Sequence, residues 1–248
     1  AEFSYRKAIE INPNYSEAHS NLGTILKDQG NLKEAEFSYR KAIEINPNYS
    51  EALSNLGNIL KDLGNSQDAF DCYFRVIKTK QKHPNIYSYI TEFLKDTDPS
   101  KLNKLKLKSI TNHLLEKDDI AHEELFKAFN FLYGNELITN LKKLYSDFSS
   151  IELILNNKTI INSLKKIKFR DLNLEEILTK TRRNICILID QDIKTIKNTE
   201  VQFIVALGKQ CFLNEYIYPI TEEEVSSLSR IIARCKNIEL NETNISIL

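Results

Sequence analysis

Methionine and tryptophan are absent from these 248 residues, and glycine (6), proline (5) and cysteine (4) are sparse. With no methionine there is no translational start, and no signal or transit segment is visible, so the sequence reads as a piece of a longer polypeptide. The glycines stand singly, which rules out a Gly-x-Gly-x-x-Gly fingerprint or a phosphate loop. Neither charge sign is in excess, with 34 basic and 34 acidic side chains, so a main role in coating nucleic acid or anionic lipid is not expected. No apolar run approaches the length that spans a bilayer, and no membrane partner is expected. Cys72, Cys186, Cys211 and Cys235 lie far apart without a paired spacing, which suits reduced thiols and a cytoplasmic location. What the chain does have is 42% hydrophobic residues, enough to bury a core in one large or two ordinary domains.

It also repeats itself. The run "AEFSYRKAIEINPNYSEAHSNLG" opens the chain and returns 34 residues later with one change, His19 to Leu53. Within each unit Leu22, Ile25 and Leu26 recur at helical spacing, and Gly30 with Asn31 stops the helix. A second helix follows from about Lys33 to Ile45, buries Ala35, Tyr39, Ala42 and Ile43 on one stripe, and stops at Asn46 and Pro47. Neither helix shelters its stripe alone, so the pairs must stack.

The period and the residues Leu22, Gly23, Leu26, Ala35, Tyr39 and Pro47, matched by Leu56, Gly57, Leu60, Ala69 and Tyr73, resemble the tetratricopeptide repeat. His19 and Leu53 replace its usual aromatic, and Gln81 stands where a third proline belongs. The resemblance implies an all-α chain, a tetratricopeptide-type α-solenoid followed by an irregular α-helical domain. Repeats occupy 1–97: a half repeat at 1–15, full repeats at 16–49 and 50–83, and a degenerate helix at 84–96. The α-helical domain follows at 98–248, with helices expected near 99–116, 119–133, 135–146, 159–168, 174–189, 200–214 and 222–236. Asp98, Asn173 with Glu176, and Thr221 with Glu224 read as helix starts, the last with capping-box spacing. "IELIL" carries a minor strand alternative.

Catalytic chemistry finds no foothold. "HEELF" at His122 lacks the second histidine of a zinc-protease helix, no Gly-x-Ser-x-Gly elbow occurs, and no metal site is expected. Glu222, Glu223 and Glu224 read as an acidic first turn favoured by the helix dipole. Lys101, Lys104, Lys106 and Lys108 read as a solvated face, and the aromatics of "FKAFNFLYGNE" and "QCFLNEYIYP" as core.

The functional signal lies on the first helix of each repeat. Glu17, Ser20, Asn21, Thr24 and Asp28 form one polar stripe, copied by Glu51, Ser54, Asn55, Asn58 and Asp62. A carboxamide offers donor and acceptor together and can hold peptide backbone regardless of side chains. The alternative is a solvated face copied by duplication. The repeats resemble those of the O-linked N-acetylglucosamine transferase superhelix, where an asparagine before Leu-Gly grips extended polypeptide. That implies a protein or peptide ligand held by Asn21 and Asn55.

Further on, "EEILTKTRRNICILI" and "FIVALGKQCFLNEYIYPITEEE" are similar to the helical region of bacterial proteins that carry tetratricopeptide repeats ahead of a class I S-adenosylmethionine-dependent methyltransferase domain. Arg182, Gln210, Cys211, Phe212, Asn214, Glu215 and Tyr216 carry this match. It implies that the chain is the substrate-recruiting part of such an enzyme, with Gln210, Asn214, Glu215 and Tyr216 facing the following domain or satisfying a helix end. No cofactor is expected to bind these residues themselves, since S-adenosylmethionine belongs to the later domain.

Overall fold

The computed structural model describes residues 1–79, 83–146, 150–191, 198–213 and 221–235, and all regular structure among them is helical. The chain divides into two compact units, Ala1–Ile110 and Thr111–Leu248.

The first unit runs α1 (Glu2–Ile11), α2 (Ser16–Asp28), α3 (Leu32–Ile45), α4 (Ser50–Asp62), α5 (Ser66–Lys78) and α6 (Ile86–Asp96). α2 pairs with α3 and α4 with α5, as the repeat period requires. The turn inside each pair depends on a glycine in left-handed backbone, Gly30 at φ 82° and Gly64 at φ 80°. Asn31 N–H donates to Leu26 O at 2.9 Å and Asn65 N–H to Leu60 O at 2.8 Å, closing the last helical turn. α3 ends at Asn46, whose extended backbone precedes Pro47.

The core of each pair is a tyrosine over a glycine. Tyr39 and Tyr73 are fully buried. A Cβ on Gly23 would lie 2.9 Å from Tyr39 Cδ1, and one on Gly57 only 2.6 Å from Tyr73 Cε1, so no larger residue fits. α6 closes the core with Phe93, whose ring meets Tyr73 edge-on at 5.5 Å and stacks with Phe70 at 6.1 Å.

The helix expected over 99–116 is two elements. Asp98 caps a 3-10 turn at Pro99–Lys101, accepting from Ser100 N–H at 3.0 Å, and α7 (Lys104–Leu115) starts afresh behind Leu102 and Asn103. Leu102 and Leu107 are buried and Leu105 is exposed. Lys106 departs from the solvated face, since it pairs with Asp71 at 2.7 Å and lies over the Phe74 ring.

The second unit continues with a 3-10 turn at His122–Leu125 and then an unbroken helical run, α8 (Phe126–Phe129), a π turn at Asn130–Gly134 and α9 (Asn135–Ser146). The break expected at Gly134 is absent. The Asn130 side chain folds over Gly134 where a Cβ would stand, and the helix widens by one turn instead of stopping. Phe129 and Tyr133 are buried as expected of core aromatics, while Phe131 is 41% exposed. "IELIL" is helix α10 (Ile151–Leu155), followed by α11 (Lys158–Lys166), α12 (Leu172–Gln191), α13 (Asn198–Leu213) and α14 (Glu222–Cys235). α12 packs on α9, α13 and α14, and Phe169 stacks on Phe129 at 5.4 Å.

Two helix starts differ in outcome. Asn173 lies inside α12, and the cap is Asp171, which accepts from Leu174 N–H at 2.9 Å. At α14 the reciprocal box forms, Thr221 N–H donating to Glu224 Oε2 at 2.9 Å and Glu224 N–H to Thr221 Oγ1 at 3.3 Å. Glu224 also departs from the solvated acidic turn. Its side chain is only 2% exposed and receives Arg182 Nε at 2.7 Å and Arg183 Nε at 3.1 Å, whereas Glu222 and Glu223 are exposed.

Candidate functional site

Spacings of four, three and four residues place Glu17, Asn21, Thr24 and Asp28 within one narrow arc of α2. Glu51, Asn55, Asn58 and Asp62 fall on the matching arc of α4, which packs beside α2. Exposure repeats as well. The four acids are exposed at the ends of each stripe, and Asn21, Thr24, Asn55 and Asn58 are half-buried between them. Ser20 and Ser54, which the spacing put on the same stripe, are instead buried at 1% and 0% exposure, turned into the helix packing.

The inner positions divide into free and engaged groups. Among the described residues neither Asn21 nor Asn55 makes a side-chain hydrogen bond, and neither carboxamide is shut off from solvent. Thr24 and Asn58, at equivalent places in the two repeats, both meet the hydroxyl of the buried tyrosine. Thr24 Oγ1 lies 3.1 Å from Tyr39 OH, and Tyr73 OH donates to Asn58 Oδ1 at 2.8 Å. Burial raises the pKa of both phenols, so the hydroxyl proton stays in place. The acids are unopposed: among the described residues Glu17, Asp28, Glu51 and Asp62 form no ion pair. The stripe therefore offers uncommitted carboxamides in a field of negative charge.

Leu22, Gly23, Ala35, Tyr39, Leu56, Gly57, Ala69 and Tyr73 are all buried. Pro47 is exposed, and its carbonyl accepts from Arg75 Nη2 at 2.7 Å. On a different side, a cleft of about 500 Å³ opens between α3, α4 and α5 over Ile43, Leu56 and Leu60, and no residue of the stripe lines it. Sequence spacing gave no sign of this cleft.

Of the residues in the second resemblance, Gln210 is buried within α13. Asn214, Glu215 and Tyr216 lie outside the described residues. Among the cysteines, Cys72 is buried and its thiol is pushed up to about 11 by that burial, while Cys186 is half-buried. Neither is in a disulfide. No group of three or more metal-ligating side chains occurs among the described residues. No helix among them is long and apolar enough to cross a membrane.

With that geometry in hand, comparison with known families is specific. Family models of the tetratricopeptide repeat match residues 16–49 and 38–71. Residues 16–71 are thus tetratricopeptide repeats, and they lie within the first compact unit. No curated protein matches it. Among solved structures, the crystal structure of YrrB, a TPR protein with an unusual peptide-binding site, aligns at 14% identity and a TM-score of 0.41, covering 96% of this chain and 100% of that one. The repeat fold supports a role in protein interaction.

Proposed function

We propose that the first unit captures an extended polypeptide along α2 and α4, with the backbone held by Asn21 and Asn55 and basic character in the ligand favoured by Glu17, Asp28, Glu51 and Asp62. The observation that carries this reading is the pair of uncommitted carboxamides, repeated at one helical position in adjacent repeats. A carboxamide left free has both a donor and acceptors to offer a passing peptide group. The first helices α2, α4 and α6 pack against one another in succession, so the stripes of α2 and α4 lie on one side of unit 1. Unpaired carboxylates along that side attract cationic ligands at low salt. No residue of the stripe is arranged for bond making or breaking, and the module is noncatalytic in this reading.

The test is a titration of a fluorescein-labelled, structureless peptide of repeating Gly-Ser-Ala units. Replacing Asn21 and Asn55 together by alanine removes two backbone contacts, and a weakening of about tenfold is expected with little change in melting temperature. A version of the peptide with lysines binds more tightly, and its advantage shrinks as salt rises. Equal binding by the parent and the double variant rejects the reading.

A further inference from the structure

Asn55 and Asn58 stand one turn apart on α4 but are not equivalent groups. Asn55 is uncommitted, whereas Asn58 Oδ1 is occupied by the Tyr73 hydroxyl at 2.8 Å. Tyr73 itself cannot move: it is fully buried, its ring is seated where Gly57 has no side chain, and Phe93 meets it edge-on at 5.5 Å. Tyr73 thus donates to Asn58 from a fixed position. Among the described residues the amide nitrogen of Asn58 has no partner, and it is not shut off from solvent.

We propose that Tyr73 locks the orientation of Asn58 so that it presents its N–H2 group at the binding face, and that the second repeat thereby selects a carbonyl oxygen of the ligand at this point and fixes the register of the captured chain. The inference rests on the polypeptide-binding reading above. Its physical content is a difference between repeats. Asn55 is free to rotate and pairs with either a peptide N–H or a peptide C=O, so alone it leaves the ligand free to slip by one group. In Asn58 the bond from the buried Tyr73 hydroxyl holds Oδ1 back against the core and leaves the N–H2 edge for the ligand, so an N–H group of the ligand placed there would face a donor. The equivalent Thr24 has its hydroxyl shared between Tyr39 OH at 3.1 Å and Ser20 O at 3.3 Å, so the first repeat lacks this donor. One donor-presenting position beside amphoteric ones is enough to set register, because a shift by one peptide group exchanges donor for acceptor.

Five variants of the full chain separate the possibilities, titrated with the same Gly-Ser-Ala peptide and checked for folding by thermal melting. Asn58→Asp keeps an acceptor for Tyr73 but points a carboxylate at the ligand carbonyl, and binding falls about tenfold or more. Tyr73→Phe retains the ring and deletes only the hydroxyl, and binding falls about threefold as the carboxamide loses its fixed orientation. In the Asn58→Ala background Tyr73→Phe has no further effect on binding, which a merely structural role of the hydroxyl would not produce. If Asn58→Asp and Tyr73→Phe bind like the parent while Asn55→Ala weakens, the donor lock is overturned and the ladder survives. If Asn55→Ala is also without effect, the polypeptide-binding reading falls too. Tighter binding by Asn58→Asp shows a ligand donor at this place and likewise overturns the lock.

Discussion

α1 and α3 share the sequence EFSYRKAIEI, yet one is a surface element and the other part of a core. α3 buries Ala35 in its first turn and Ser38, Tyr39, Ala42 and Ile43 beyond it, between α2 and α4. α1 packs on α2 and buries no residue fully. Tyr5, Ala8 and Ile9, the copies of Tyr39, Ala42 and Ile43, are half-buried. The same ten residues form a helix in both places, so helix formation is local, while burial is a property of the neighbour. Phe3 and Phe37 make the converse point, being 73% and 64% exposed: neither context supplies a partner for that position.

The sharpest way to break the comparison is to truncate the tyrosine in each copy. Tyr39→Ala removes a fully buried ring and its hydroxyl contact, and a loss of about 3–5 kcal/mol is expected in urea unfolding. Tyr5→Ala, the same change in the same sequence, costs about 1 kcal/mol or less because the ring keeps much of its solvent contact. Comparable losses in the two variants would mean that α1 is as well packed as α3.

Next in size is Glu224 of the second unit. Glu224→Ala leaves Arg182 and Arg183 without their shared carboxylate, at about 2–3 kcal/mol. Burial raises the Glu224 carboxyl, but hydrogen bonds from Arg182 and the Thr221 backbone, with the charge of Arg182 and the bond from Arg183, outweigh it and leave the pKa below its ordinary 4.5. A depressed folded pKa gives stability that is present above 4.5 and lost as pH falls through the folded value, so the acid limb of the unfolding curve of the parent protein flattens in the variant. A parallel acid limb in both proteins counts against a structural role for this cluster.

Gly57→Ala sharpens the tyrosine-over-glycine seat. The added Cβ would stand 2.6 Å from Tyr73 Cε1, and about 1–3 kcal/mol is expected as the ring is displaced. A melting temperature unchanged from the parent would show that the seat is loose. Smallest of all are Phe3→Ser and Phe37→Ser, each within about 0.5 kcal/mol of the parent, because both rings already face water.

Much of the first unit was legible in the letters. A 34-residue period, Gly30, and the apolar stripes located every helix boundary in the two repeats to within a residue or two, because each feature acts over one or two helical turns. In the second unit helix type was readable and breaks were not. Gly134 looked like a stop but sits in a π turn, since the side chain of Asn130 takes the space beside it. Asp171 rather than Asn173 caps α12, a shift of two residues that spacing alone does not resolve.

At the site, spacing found the stripe but could not sort its members. Ser20 and Ser54 share the polar character of Asn21 and Asn55, and only packing shows that the serines are buried and the carboxamides open. Nor did the letters distinguish Asn58 from Asn55, because the partner that commits Asn58 lies 15 residues away on another helix. Glu224 is the same lesson in the second unit: three consecutive glutamates look alike until two arginines from α12, about 40 positions earlier, meet only the last.

By itself the sequence determined that the first unit would be a row of short helix pairs, because turn glycines, proline stops and 3.6-residue periodicity act between near neighbours along the chain. Tertiary structure alone decided which copy of a repeated residue is core and which is surface, and which polar group is spent and which is free to bind. Those outcomes depend on groups brought together across the stack, and a chain that repeats its own letters carries no local mark of where in the stack each copy stands.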